Sequence, residues 1–223
     1  MSAALLHAAA ATAPRRREDN PIVYLDIKIG DRAAGRLVIE LRADVVPRTA
    51  ENFRRLCTGE TTHPLTGKRR QFAQCPFHRV VKNRFCQSGD YLNHDGSGGE
   101  STFDQPEDLL QSDDRDDPQT VAVDPLKAPS EAPIASFADE NFVLRHAGPG
   151  VLSMVNTGPD SNTSQFYLHF KANADMDDRH VVFGCLMGRP SFQVLDAIHA
   201  VATERGDPKA LVKISGSGQL FPS

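Results

Sequence analysis

Arg79 and Gln87 have the clearest capacity for chemistry in this chain. They stand in two dense blocks, Phe77-His78-Arg79-Val80-Val81 and Phe85-Cys86-Gln87-Ser88-Gly89-Asp90. An arginine keeps its charge at any relevant pH and holds its donors in a rigid plane. Taken alone, Arg79 reads as a strand-surface arginine in a salt bridge. Strand alternation puts Phe85 and Gln87 on one face. Gly96-Ser97-Gly98-Gly99 follows and lacks the lysine of a phosphate-binding loop. Further blocks are Asp139-Glu140-Asn141-Phe142, Gly148 to Met154, Asn156, Ser164-Gln165-Phe166-Tyr167 and His180-Val181-Val182-Phe183-Gly184.

Other chemistries find less support. The four cysteines (Cys57, Cys75, Cys86 and Cys185) form no C-x-x-C pair, and no Cys/His cluster has zinc-ligand spacing. They are expected to be buried reduced thiols, and neither a metal nor a cofactor is expected. A net charge of -4 argues against a nucleic-acid binder. No apolar run reaches the roughly 20 residues of a membrane span. Asn162-Thr163-Ser164 matches a glycosylation sequon, but no segment resembles a secretory signal.

The elements that must position Arg79 and Gln87 are short. Val23, Leu25, Ile27 and Ile29 alternate with Ile22, Tyr24, Asp26 and Lys28, which predicts a strand. Gly30-Asp31 marks a turn, and Gly35 to Leu41 the returning strand. A helix is predicted from Pro47, with Ala50, Phe53, Leu56 and Cys57 as its apolar stripe and Gly59 as its end. Phe77–Val81, Phe85–Tyr91, Val151–Asn156, Gln165–Phe170 and Val181–Met187 read as further strands. A second helix starts near Pro190, with Phe192, Leu195, Ile198 and His199 inward, and a last strand starts at Leu211. Eight strands and two helices predict a mainly β fold, a closed antiparallel barrel plugged by helices.

Residues 21–221 form the predicted domain, with insertions at about 61–74 and 101–135. The second insertion holds nine acidic and two basic residues and five of the 15 prolines, which favours an exposed excursion. The rest of the chain is formally +3. Residues 1–20 read as an extension: largely alanine to Ala13, then Arg15, Arg16 and Arg17, with no acidic residue before Glu18. A disordered tail or an organelle-targeting peptide has this composition.

These blocks, in this order, resemble the cyclophilins from about Pro21 to Leu220, apart from the two insertions. The resemblance implies a peptidyl-prolyl cis-trans isomerase acting on proline-containing polypeptides. It casts Arg79 as the main catalytic residue and Gln87 as the glutamine that holds the substrate backbone and orients the arginine. Phe85, Gly96, Val155, Asn156, Thr157, Gln165, Tyr167, Met176 and His180 match substrate-groove positions. Among them, the Asn156 backbone would grip the residue before proline as an added strand does. His78 and His169 are expected to be packing residues.

The proline pocket departs from the family pattern. Arg84 and Phe85 stand where an aromatic and a methionine are usual, Tyr167 where phenylalanine is usual and Met176 where leucine is usual. Arg84 removes an apolar wall and brings a charge near Arg79 unless it points to solvent. Asp175 stands in place of the tryptophan that helps hold cyclosporin in the family, so weak cyclosporin binding is expected. Asp175, Asp177 and Asp178 form an acidic rim that would favour basic residues near the substrate proline.

Three readings follow: an active isomerase with shifted substrate preference, a proline-binding scaffold with little catalysis, and redox signalling through Cys57 and Cys185. Retention of Arg79 favours the first. The chain is expected to be a monomer, with a partner for the acidic insertion as an option. A cytoplasmic location is expected, with a mitochondrial one as the alternative if the extension is a targeting peptide.

Overall fold

The computed structural model describes residues 16–64, 66–103 and 135–222. Strands β1 (Ile22–Ile29) and β2 (Arg32–Leu41) form the opening hairpin, and helix α1 spans Pro47–Thr58. A two-residue hairpin, β3 (Thr61–Thr62) with β4 (Arg69–Arg70), lies within the first insertion. Then come β5 (Arg79–Val81), β6 (Phe85–Ser88), β7 (Val151–Met154), β8 (Phe166–His169), β9 (Val182–Leu186), helix α2 (Gly188–Ala200) and β10 (Val212–Phe221). The expectations for residues 1–15 and 104–134 lie outside the described residues.

Eight strands make one curled antiparallel sheet in the order β10-β1-β2-β9-β7-β8-β6-β5. They are the eight that the sequence predicts. The seam between β5 and β10 is not a strand ladder, however. The segment before β5 closes it with an isolated Pro76–Lys213 bridge and with bonds from Gln74 N to Ile214 O (2.7 Å), Ile214 N to Cys75 O (2.9 Å) and Phe77 N to Val212 O (2.8 Å). Pro76 has no N–H to give, so a regular ladder cannot run through it. The predicted closed barrel is therefore a curled sheet with a stitched seam.

Helix α1 plugs the interior. Proline is at its first turn, and Gly59 ends it in the left-handed region (φ 64°) with its N–H on Arg55 O. Phe53 sits at the centre, its ring 5.0 Å from Phe72, 5.1 Å from Phe166 and 4.9 Å from Phe183. Val46 at the N-cap offers no capping side chain. Glu140 caps the helix from afar, accepting from Arg48 N (3.0 Å), Thr49 N (2.9 Å) and Thr49 Oγ1 (2.8 Å). A carboxylate is favourable where the first helical N–H groups have no partner.

In α2, Leu195 and Ile198 are buried as predicted. Ser191 and Val194 join them, while Phe192 and His199 are only partly buried. At the other end of the chain, residues before β1 pack on the sheet. Arg17 grips Glu40 through Nε and Nη2, both at 3.0 Å, and Asn20 is buried between Glu40 and Asp44.

Candidate active site

Strand register places the site. On the core side, Val80, Cys86, Leu168 and Leu152 sit opposite one another across β5, β6, β8 and β7, all fully buried. The period of two sends their neighbours to the outer face. One outer row is Arg79, Gln87, Tyr167 and Ser153; the next is Val81, Phe85 and His169. Sheet pairing alone thus sets Arg79 and Gln87 side by side next to two aromatic rings.

Val81, Phe85, Met176 and Tyr167 form a small apolar cluster separate from the main core. The rings of Phe85 and Tyr167 are 4.5 Å apart, and His180 meets Tyr167 edge-on at 5.4 Å. Met176 is delivered by a 3-10 turn at Ala174–Met176. Arg79 is exposed, lies 5.6 Å from the Phe85 ring centroid and makes no ion pair with a described residue. Its guanidinium is therefore available to a ligand bound over the cluster.

Gln87 starts a hydrogen-bond relay. Its Nε2 donates to Gln165 Oε1 (2.9 Å), and Gln165 Nε2 donates to Gly96 O (2.9 Å) and Gly98 O (2.7 Å). The loop at 96–98 is itself wound around Asp90. This fully buried carboxylate accepts from the N–H groups of Leu92, Asn93, Asp95, Gly96 and Gly98 at 2.8 to 3.2 Å. Burial pushes the Asp90 pKa up, but these backbone bonds outweigh it and leave the pKa below its ordinary value. Gly96 (φ +95°) packs on His78, where a Cβ would stand 2.7 Å from Nε2.

Beyond the relay, a cavity of about 210 Å³ is lined by Gly96 to Gly99, Val155, Asn156, Thr157 and Gln165, among others. Val155 N donates to Gln165 O (3.0 Å), and Asn156 Nδ2 to Arg179 O (2.7 Å). His180 Nδ1 lies 3.0 Å from Met154 O. A carbonyl only accepts, so the proton is on Nδ1. Burial lowers the His180 pKa and favours this neutral ring. Of the residues singled out in the sequence, Gly96, Val155, Asn156, Thr157 and Gln165 line this cavity, Phe85, Tyr167 and Met176 form the apolar cluster beside Arg79, Gln87 is bonded to Gln165, and His180 meets Tyr167.

The site sets the exposed guanidinium of Arg79 beside an apolar cluster and next to a polar cavity. Among the described residues, no cluster of His, Cys, Asp or Glu could hold a metal. Residues 24–219 match the family profile described as cyclophilin type peptidyl-prolyl cis-trans isomerase/CLD. This chain belongs to that family. This cyclophilin is 39% identical over 203 residues to peptidyl-prolyl cis-trans isomerase H of Rhizopus delemar, covering 91% of this chain and 96% of the relative. It is 38% identical over 202 residues to peptidyl-prolyl cis-trans isomerase CYP22 of Arabidopsis thaliana, covering 90% and 85%.

Two departures of this cyclophilin explain each other. Arg84 neither collides with Arg79 nor points to bare solvent. Its Nη2 lies 2.5 Å from Asp175 Oδ2 across the rim of the apolar cluster, and its carbon lies 5.6 Å from the Phe85 ring. Phe85 joins the apolar cluster, on the strand face that it shares with Gln87. The rim is also less acidic than the sequence implies. Asp175 pairs with Arg84, Asp178 with Arg145 (2.7 Å), and Asp177 accepts from both the backbone and the ring of His146. Two of the three rim carboxylates are thus matched by an arginine, while Asp177 keeps its charge beside a ring whose pKa burial lowers.

His169 is wholly buried beneath the cluster, accepting from Asn173 Nδ2 (2.8 Å) at Nδ1 and facing Ser153 Oγ (2.9 Å) with Nε2. The sequence reading missed one further residue, Gly206, and took another, His199, only as an inward position of the second helix. Gly206 (φ +102°) lies against Arg79, where a Cβ would stand 2.9 Å from Cγ. His199 Nε2 accepts the N–H of Asn83 (3.0 Å) in the turn between β5 and β6. Both come from the distant end of the chain, and no local motif connects them to the site.

Proposed function

We propose that Arg79 is the catalytic residue of this isomerase and that the Phe85–Tyr167–Met176 cluster holds the substrate proline. The observation that carries this reading is the guanidinium of Arg79, which makes no ion pair with a described residue and stands in register with Gln87 beside that cluster. Rotation about an X-Pro bond meets a barrier of about 18–20 kcal/mol from partial double-bond character. In the twisted amide the proline nitrogen regains its lone pair. A guanidinium aimed at that nitrogen stabilises the twisted state more than either planar one, which is what acceleration requires. Gln87 and Gln165 hold the substrate backbone, the Asn156 main chain with Val155 and Thr157 pairs with the residues before proline, and Gly96 and His180 shape the groove.

A coupled isomerisation assay on X-Pro peptides tests this. Wild type should turn over, and Arg79→Ala should lose activity by about a hundredfold or more, the scale of a lost transition-state donor. Full turnover by a folded Arg79→Ala protein would overturn the assignment. Peptide binding without any turnover in wild type would favour the second reading, a proline-binding scaffold, to which the replaced pocket wall at Arg84 lends weight. The redox reading has little physical support: burial raises the pKa of Cys57 well above its ordinary value, and burial and Glu40 raise that of Cys185.

Weak cyclosporin binding belongs to the same proposal, since Asp175 replaces an aromatic surface with a charge engaged by Arg84. The working unit is a monomeric domain over residues 21–221 that acts on proline-containing polypeptides in the cytoplasm, with the acidic insertion as a salt-sensitive contact for a basic partner. Deleting 104–134 should abolish that contact and spare turnover. Mass analysis of the mature amino terminus distinguishes the mitochondrial alternative.

A further inference from the structure

Resting on the reading of the groove as an isomerase site, we propose that Arg84 makes this enzyme prefer substrates with an acidic side chain next to the proline. The acidic group takes the place of Asp175 on the Arg84 guanidinium.

The arrangement around Phe85 supports this. Two guanidinium carbons, those of Arg79 and Arg84, each lie 5.6 Å from its ring centroid. Of the two, only Arg84 has a carboxylate partner among the described residues. Two guanidinium groups and one carboxylate thus gather around this ring. Of the other rim carboxylates, Asp178 is matched by Arg145, and Asp177 keeps its charge but holds it against the buried His146, its side chain only 18% exposed. On the outer side of the hairpin Lys82 is balanced by Glu204.

The pair sits where it can read a neighbour of the proline. Arg84 immediately precedes Phe85, and Asp175 immediately precedes Met176, and Phe85 and Met176 belong to the pocket. The main chain beneath the pair is fixed. Arg84 O accepts from Phe170 N (2.9 Å) and from Asn173 Nδ2 (3.0 Å), and Asn173 O accepts from Met176 N (3.0 Å). The side chains are free to exchange partners while the pocket stays in place.

Exchange is also inexpensive. Arg84 and Asp175 side chains are 45% and 63% exposed, and an ion pair so open to water contributes little. Asp175, once released, is rehydrated. A carboxylate brought in by the substrate gains Arg84 and also the field of Arg79. A substrate ammonium gains Asp175 but approaches two guanidinium groups to reach it. The asymmetry comes from Arg79, and Arg84 supplies the contact.

The test compares kcat/KM for peptides that differ only in Glu or Lys at the residue before proline, and again at the residue after it, with a neutral alanine peptide as reference. The ratio on one enzyme preparation does not depend on the folded fraction. Wild type should favour Glu over Lys at one of the two positions by about two- to fivefold at low salt, with the ratio falling at high salt. Arg84→Gln should bring the ratio toward one. Asp175→Asn should enlarge it, because Arg84 is then unoccupied. A wild-type ratio at or below one at both positions overturns the proposal, as does an unchanged ratio in Arg84→Gln. Absence of turnover on the neutral peptide would instead sink the isomerase reading, and the same peptides' dissociation constants would then carry the charge comparison.

Discussion

Gly206 presses its backbone against the side chain of Arg79, leaving no room for a Cβ: one built there would stand 2.9 Å from Cγ and 3.3 Å from Nε. The contact is held from both sides, since Val80 N donates to Gly206 O (2.7 Å) and Gly206 N to Thr203 Oγ1 (3.0 Å). Gly206→Ala should therefore move the guanidinium. Its φ of +102° adds strain of about 1–3 kcal/mol. We expect kcat to fall about tenfold or more, as a misplacement near 1 Å can cost, while Asp207→Ala next to it stays near wild type. Equal kcat in both variants would show that Gly206 does not position Arg79.

His199 should act as a positioning residue through the turn that carries Arg84 and Phe85. Asn83 holds φ 58° there, and its N–H ends on His199 Nε2, while the imidazole stacks on Phe170 at 4.5 Å. His199→Leu removes the acceptor, and a lost bond of this kind costs about 1 kcal/mol. His199→Gln keeps an acceptor. The expected result is a raised KM for His199→Leu, with substantial recovery in His199→Gln. If the two variants are equally impaired, the hydrogen bond is not what matters.

Acid should destabilise the fold through His169. Burial, with smaller contributions from His146 and His180, drops its pKa from 6.5 to about 3. Between those values the unfolded chain binds the proton and the folded one does not, so stability is complete above about pH 6.5 and declines toward pH 3. The slope is about 1.4 kcal/mol per pH unit for one such group. Urea midpoints measured across this range should fall with pH in wild type, and less steeply in His169→Gln, which takes up no proton. Parallel slopes in the two proteins would assign the acid sensitivity to other groups.

Local patterns made much of this molecule readable. Alternating apolar residues announce β1, and Pro47, the Ala50–Phe53–Leu56–Cys57 stripe and Gly59 announce α1 because each acts within a turn or two of itself. The groove was legible for a related reason: Arg79, Gln87, Gln165 and His180 lie in compact blocks whose order survives the insertions. Strand ends were less so. The sequence carries β6 to Tyr91, but it stops at Ser88. There Gly89 turns at φ +98°, packed so tightly that a Cβ would collide with Ser164 O. Pairings across long separations left no trace. The Arg84–Asp175 pair spans 91 residues and the Glu140 cap on α1 spans 92, so each partner read alone as an anomaly or as an ordinary acidic residue.

The two ends of the acidic insertion meet. Ser101 N donates to Ala135 O (2.8 Å), and the rings of Phe103 and Phe137 touch edge-to-face at 5.4 Å. Each end is also tied to α1, one by Asn52 to Thr102 N (2.8 Å) and the other by Glu140 at the helix start. The entropy of bringing the chain back together at this point grows only with the logarithm of its length, about 0.6 kcal/mol per doubling. The junction therefore works as a socket. A fluorescent protein, an affinity sequence or a longer natural insert could be spliced between Phe103 and Ala135, and the plug helix would still hold the curled sheet in register.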